Sequence, residues 1–195
     1  MPSPAQHYAA EVESFMRAQR KRRRRPTHRD REEGGMSPLL AAALAGGAVL
    51  LASLVGRRYS PDPSHPDTDR WYHQELEKPS FTPPDAAFGA VWPVLDLFLA
   101  FGGYRLLTAP PSPERDAAIA LWAVNVAMIG GWSKIFFGEK NLGGALGAAA
   151  MIGTGAAFVE RASHVDGWAA ASGVPYTAWV GFAAVLSEEV WRRNA

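Results

Sequence analysis

Three tryptophans, Trp92, Trp132 and Trp179, lie within or at the ends of long apolar runs, and two polar side chains, Asp96 and Asn125, lie among them. Indole rings in such a setting can stack on a flat aromatic ligand, with ring centroids a few ångströms apart. Asp96 follows Trp92 by one helical turn and shares its face. A charged group at the centre of a membrane helix costs about 2.5–3.5 kcal/mol on insertion scales. Asp96 is therefore expected to face a bundle interior or water. Asn125 is central in its own run. Either residue could contact a ligand, and a hydrogen bond between the two across a helix pair is equally open. Ala183 stands one turn after Trp179 on the same face, where a small side chain leaves room for a ligand. Ahead of Trp92 runs KPSFTPPDAAFGAVW, with three prolines before the apolar stretch. Proline fixes φ and lowers loop entropy, so Lys78–Pro84 is expected to act as a pre-shaped lid over a pocket between helices.

The elements that must position these residues are legible as five apolar runs: Met36–Val55, Phe88–Leu107, Ala117–Phe137, Leu142–Val159 and Val174–Val190. Each is close to the roughly 20 residues that cross a hydrocarbon core. Short stretches rich in proline, glycine or charge separate them, and no strand-like alternation competes. A soluble bundle would show polar outer faces at helical period, and these runs show almost none. The expected fold is an all-α integral membrane bundle of five transmembrane helices over residues 36–195. Gly143 and Gly147 form a small-xxx-small pair, which suits either tight packing within the bundle or a face between two copies.

Residues 1–35 differ. They hold nine of the twenty Lys and Arg, including the run from Arg20 to Arg25. This basic tail is expected to be disordered, to lie as a short helix on an anionic membrane, or not to belong to the native chain, since Glu32–Met36 could be encoded by a purine-rich stretch ahead of a start codon. A lone arginine run is weak evidence for nucleic acid, and no nucleic-acid partner is expected. Across the bundle, Arg57, Arg58, Arg70, Lys78, Lys134, Lys140, Arg192 and Arg193 fall on one side of the membrane, against Arg105, Arg115 and Arg161 on the other. The positive-inside rule then puts the C-terminus in the cytoplasm, although counting the tail reverses the balance. There is no cysteine, and no zinc spacing, Walker loop or dinucleotide fingerprint appears, so no metal site is expected. His73 is read as a solvated loop histidine in preference to a metal or haem-iron ligand near the pocket mouth. Trp71, Trp168 and Trp191, at the ends of spans, are read as interfacial belt residues, and Trp122 as lipid-facing or belt.

Several short motifs, at consistent intervals, resemble the TspO/MBR family of tryptophan-rich sensory and translocator proteins. They comprise Trp71-Tyr72, Leu76, Lys78-Pro79, Phe81, Pro83-Pro84, Phe88-Gly89 and Val91-Trp92. Trp132-Ser133 and Ile135–Gly138 follow, then Pro175-Tyr176, Trp179-Val180, Phe182-Ala183, Leu186, Val190–Arg192 and Asn194. The resemblance covers about residues 37–194 and leaves the tail without a counterpart. It implies a five-helix bundle, usually a homodimer, that binds protoporphyrin IX, haem or related tetrapyrroles as ligand and needs no other cofactor. Trp92, Trp179, Ala183 and Leu186 match its ligand-contacting positions. Trp71, Tyr72, Lys78, Pro79, Phe81, Pro83 and Pro84 match its lid region. Some bacterial members are reported to degrade porphyrin in light, a reaction in which Trp92 and Trp179 would be the redox-active side chains. A receptor or carrier, a light-dependent enzyme and a scaffold with a vestigial pocket are thus three expectations. The chain departs from the family at Asp96, where an aromatic is usual, at Ile129 in place of a pocket Asn, and at Gly144 in place of a Trp.

Overall fold

The structure, a computed structural model, describes residues 34–195; the expectations for the basic tail lie outside the described residues. Five long helices account for most of the described residues: α1 (Pro38–Arg57), α3 (Asp85–Thr108), α4 (Pro113–Ser133), α5 (Gly144–Ser163) and α6 (Gly167–Asn194). A short α2 (Pro66–Arg70) lies between α1 and α3. Helices α1, α3, α6 and the stretch Pro113–Gly138 are long and apolar enough to cross a membrane. The remaining long helix, α5, has 20 residues. Its alanines and glycines carry little hydropathy, and Glu160 and Arg161 occupy its last turns. The five helices expected from the sequence are present, with ends extended by up to about two turns.

The start and stop signals are local. Pro38 and Pro113 occupy first helical turns, where a missing N–H costs nothing. Ser112 caps α4 by accepting from the Arg115 N–H, and Asp166 caps α6 by accepting from the Ala169 N–H. Two segments widen to i→i+5 bonding: Trp71–Glu75 after α2, and Lys134–Gly138 after α4. Such a turn shifts the helical register by about one residue. Both extensions carry aromatic residues of the candidate site.

Around the bundle the order is α1, α4, α5, α6, α3 and back to α1, with α3 also touching α4. Small residues set the close approaches. Gly155 faces Thr177, Gly173 faces the Phe158 ring, and Gly103 faces the indole of Trp122. Leu99, Leu106, Phe158, Tyr176 and Val180 fill the interior. Trp122 is buried here, its Nε1 donating to the Leu99 carbonyl at 2.8 Å. This corrects its reading as lipid-facing: Gly103 opens the space that takes the ring. Trp168 and Trp191 are exposed, as the belt reading requires.

The two ends of the bundle differ. At one end the turns at 109–112 and 164–166 are short and tied down. Arg105 forms a bidentate pair with Asp166, and Arg115 donates to the carbonyls of Leu106 and Leu107. The long 58–84 connection, the 138–143 turn and the C-terminus gather at the other end.

Candidate functional site

The lid end is built from rings. Trp71, Tyr72, Phe136, Leu186 and Val190 are buried together, and Leu76, Phe88, Trp132, Phe137, Leu142 and Phe182 pack against them. Trp132 stacks on Phe136, with centroids 4.9 Å apart and planes 16° apart, and meets Phe137 edge-on. The i,i+4 spacing of Trp132 and Phe136 puts both on one face. Trp179 lies 5.7 Å from Phe88 and 5.5 Å from Phe182. Trp71 is buried at 9% exposure against Phe136, which corrects its reading as a belt residue. The widened turn at Trp71–Glu75 directs both Trp71 and Tyr72 inward.

The lid closes over this cluster and is fastened at several points. Lys78 Nζ sits 4.2 Å above the Tyr72 ring, a cation–π contact. Pro79 is buried, and its carbonyl accepts from the N–H and hydroxyl of Thr82. Phe81 reaches across to Phe182, with centroids 6.5 Å apart. Pro83 is half-buried, and Pro84 precedes α3 in an extended conformation. Asn194, at the end of α6, accepts from the Glu77 N–H and donates to the Glu77 carbonyl, both at 2.9 Å. His73 stands between two acids: Nδ1 is 3.0 Å from Asp69 Oδ1, and Nε2 is 2.9 Å from Asp85 Oδ2. It is therefore tethered rather than solvated, and joins the base of the lid to the start of α3. Burial, and after it the charge of Asp85, pushes the Tyr72 phenol up to about 12. Among the described residues, no group of three or more His, Asp or Glu could hold a metal ion.

The predicted site residues divide into two sets. Trp132 and Leu186 join the ring cluster, Trp179 adjoins it through Phe88 and Phe182, and Ala183 is half-buried one turn beyond Trp179. Trp92 instead packs on the deeper core. Asp96 accepts from Ser53 of α1 at 2.5 Å, so the anticipated bond between Asp96 and Asn125 is replaced by one to α1. Its Oδ1 is buried without a partner among the described residues. Asn125 is fully buried. Its Nδ2 donates to the Leu121 carbonyl, its Oδ1 accepts from Thr154, and its backbone carbonyl accepts from the Tyr176 hydroxyl. The side chain thus joins α4 to α5, away from the lid cluster. Of the pair Gly143 and Gly147, Gly147 approaches another helix, since a Cβ there would sit 3.3 Å from Trp132, whereas a Cβ at Gly143 would meet only Asn141 of its own turn.

Phe88, Phe136, Phe137, Phe182 and Asn194 are prominent in this geometry, yet the sequence reading left them out of the site. The i,i+3 step from Trp179 to Phe182 and the i,i+4 step from Trp132 to Phe136 were the available signals.

One polar atom at this end stands out. The Nε1 of Trp179 is buried with no hydrogen-bond partner among the described residues, whereas Trp122 and Trp132 both donate, the latter to the Gly144 carbonyl at 2.9 Å. A buried, unmet N–H costs about 1–3 kcal/mol, and an acceptor on a bound molecule would satisfy it.

Comparison with known proteins agrees with this architecture. Residues 41–192 match the TspO/MBR family. The chain belongs to that family. It is 30% identical over 162 residues to the tryptophan-rich protein TspO of Chlorobaculum tepidum, covering 80% of this chain and 97% of that one. The human translocator protein is 32% identical over 150 residues, covering 75% of this chain and 86% of its own length. Protein CrtK of Rhodobacter capsulatus is 31% identical over 151 residues, covering 75% and 88%. The chain is thus a multi-pass membrane protein of this family, embedded in a lipid bilayer.

Proposed function

We propose that the chain is a membrane receptor or carrier that binds a planar tetrapyrrole, such as protoporphyrin IX or haem, in the ring cluster beneath the Lys78–Pro84 lid. The observation that carries this reading is the unpartnered Trp179 Nε1 beside Phe88 and Phe182. A macrocycle offers flat faces for the rings and carboxylate or carbonyl oxygens for the N–H. Phe81 lies over Phe182, so entry requires the lid to lift. Ala183 and Leu186 continue the same face of α6 from Trp179 toward the lid end, and Trp92 packs one turn deeper than Phe88. The charge balance of the bundle, counted without the basic tail, favours a cytoplasmic lid end and C-terminus.

The test is a titration of protoporphyrin IX into the detergent-solubilised full chain, first in the dark and then illuminated, read by tryptophan fluorescence and porphyrin absorbance. Saturable quenching at micromolar porphyrin that weakens in W179F supports the reading. No quenching in that range overturns it. A new absorbing product that forms only in light and disappears in W179F would assign light-dependent degradation instead.

A further inference from the structure

Outside the lid cluster, a groove of about 470 Å³ opens between α4 and α5, within the roughly 300–1,000 Å³ of ligand pockets. Val124, Ala127, Met128, Gly131 and Ile135 form the α4 wall. Gly143, Gly144 and Gly147 form the α5 wall, and Trp132 and Asn141 complete it. The groove exists because glycines stand where side chains would fill it. A Cβ built on Gly131 meets nothing within 4 Å. Val124 and Ile135 are 44% and 41% exposed, so in a membrane the groove faces lipid.

Its length and polarity are graded. From Val124 to Ile135, at 1.5 Å rise per residue, is about 16 Å, close to half of a hydrocarbon core about 30 Å thick. The apolar walls therefore run from near the middle of α4 to the lid end, the depth of one leaflet. Polar groups are confined to that end. Asn141 uses Oδ1 to accept from the Gly143 N–H, which leaves its Nδ2 hydrogens able to donate outward. Lys134, adjacent to the lining residue Ile135 at the rim, is well exposed and pairs with Glu139 at 3.8 Å, so it would hold a phosphate by exchanging that carboxylate for it.

We propose that this groove is a binding site for one phospholipid, with an acyl chain lying against Gly131 and Gly147 and the phosphate held at Asn141 and Lys134. An apolar slot one leaflet deep with hydrogen-bond donors and a cation only at its outer end has the polarity profile of such a molecule. The groove shares Trp132 with the ring cluster but opens on the lipid-facing side of α4 and α5, and the proposal does not depend on tetrapyrrole binding.

The test uses the detergent-solubilised full chain with phosphatidylglycerol, counting retained lipids by native mass spectrometry. G131L projects into the groove from a position whose Cβ meets nothing within 4 Å. G153L is the control, since Gly153, an exposed glycine of α5 outside the groove, also has nothing within 4 Å. Wild type and G153L are expected to retain one phosphatidylglycerol, and G131L to lose at least tenfold in occupancy with unchanged helicity. K134Q, which alters no packing, should weaken retention several-fold. Diacylglycerol, which lacks the phosphate, should be retained less than phosphatidylglycerol. Equal retention in wild type and G131L overturns the site, and equal retention of the two lipids overturns the phosphate contact. If G131L dissociates an oligomer and leaves lipid retention unchanged, the occupant is a second copy of the chain and the proposal fails.

Discussion

The two ends of the bundle solve the same problem by different means. The end at 109–112 and 164–166 is closed by charge and backbone: Arg105 on Asp166, Arg115 on two helix-terminal carbonyls, and the Met36 N–H on the Leu107 carbonyl. The lid end is closed by rings, one cation–π contact and a pair of bonds to Asn194. Its interior N–H on Trp179 is left unmet among the described residues. Ion pairs and capped carbonyls hold one geometry. Ring contacts of about 5 Å tolerate sliding and can be exchanged for contacts with another flat molecule. The difference suits anchoring at one end and the proposed binding at the other, and substitutions can separate the two.

The largest effect is expected where the anchored half is tightest. A Cβ at Gly103 would lie 2.5 Å from the Trp122 indole. G103V must displace that ring and its bond to Leu99, which should cost about 1–3 kcal/mol. Thermal unfolding in detergent should fall by several degrees. A melting temperature unchanged from wild type would show that the Trp122 packing is not what holds α3 to α4.

Trp179→Phe comes next, and its effect should be on affinity alone. It removes a donor that has no partner in the ligand-free chain, so stability should hold or rise slightly. Protoporphyrin affinity should drop about tenfold, equivalent to about 1.4 kcal/mol. A drop in melting temperature without loss of affinity would make Trp179 a packing residue and erase the contrast between the ends.

At the anchored end, R105A should lower stability by about 1 kcal/mol, the scale of a partly exposed ion pair, and leave porphyrin affinity unchanged. Burial alone would raise the Asp166 carboxyl, but the bonds from Arg105 and the Ala169 N–H hold it below its ordinary value. A folded-state value below the unfolded one contributes stability above the unfolded pKa, near 4, and that contribution is lost as pH falls through the folded value. Wild type should therefore lose its advantage over R105A in acid. A gap that stays constant with pH would show that Asp166 does not titrate through this pair.

How much of this was legible in the sequence follows from what lipid does to patterning. Apolar runs closed by Pro, Gly and charge gave the five helices and the lid directly, because backbone groups in lipid must bond within the helix. Which face turns inward was not legible, because a helix apolar all round has no polar side to orient it. Trp122 looked outward-facing until Gly103 supplied its space, and Trp71 looked interfacial until a widened turn rotated it under the lid. Asn125 and Asp96 were identifiable as groups needing partners. Their partners, Thr154 and Ser53, are hydroxyls on other helices that no spacing rule connects to them. The motif positions Trp132, Trp179 and Leu186 lie in or beside the lid-end cluster, whereas Trp92 packs on the deeper core.

The smallest effect on stability, and the sharpest on the comparison, is expected from N194A. The substitution removes both bonds between the end of α6 and Glu77. Each is worth about 0.5–1.5 kcal/mol at most, and water can replace them at an exposed edge, so the melting temperature should shift little. The lid, however, is attached there to a helix more than a hundred positions away in sequence, and its other ties, Lys78 on Tyr72 and His73 on Asp85, lie at its own base. Freeing the Glu77 edge should let Phe81 leave Phe182 more often. Porphyrin should then associate and dissociate faster by several-fold, with the equilibrium affinity nearly unchanged. Stopped-flow quenching reads both rates. If only dissociation quickens, Asn194 stabilises the bound state; if neither rate moves, the lid does not gate the ring cluster, and the binding end is as fixed as the anchored one.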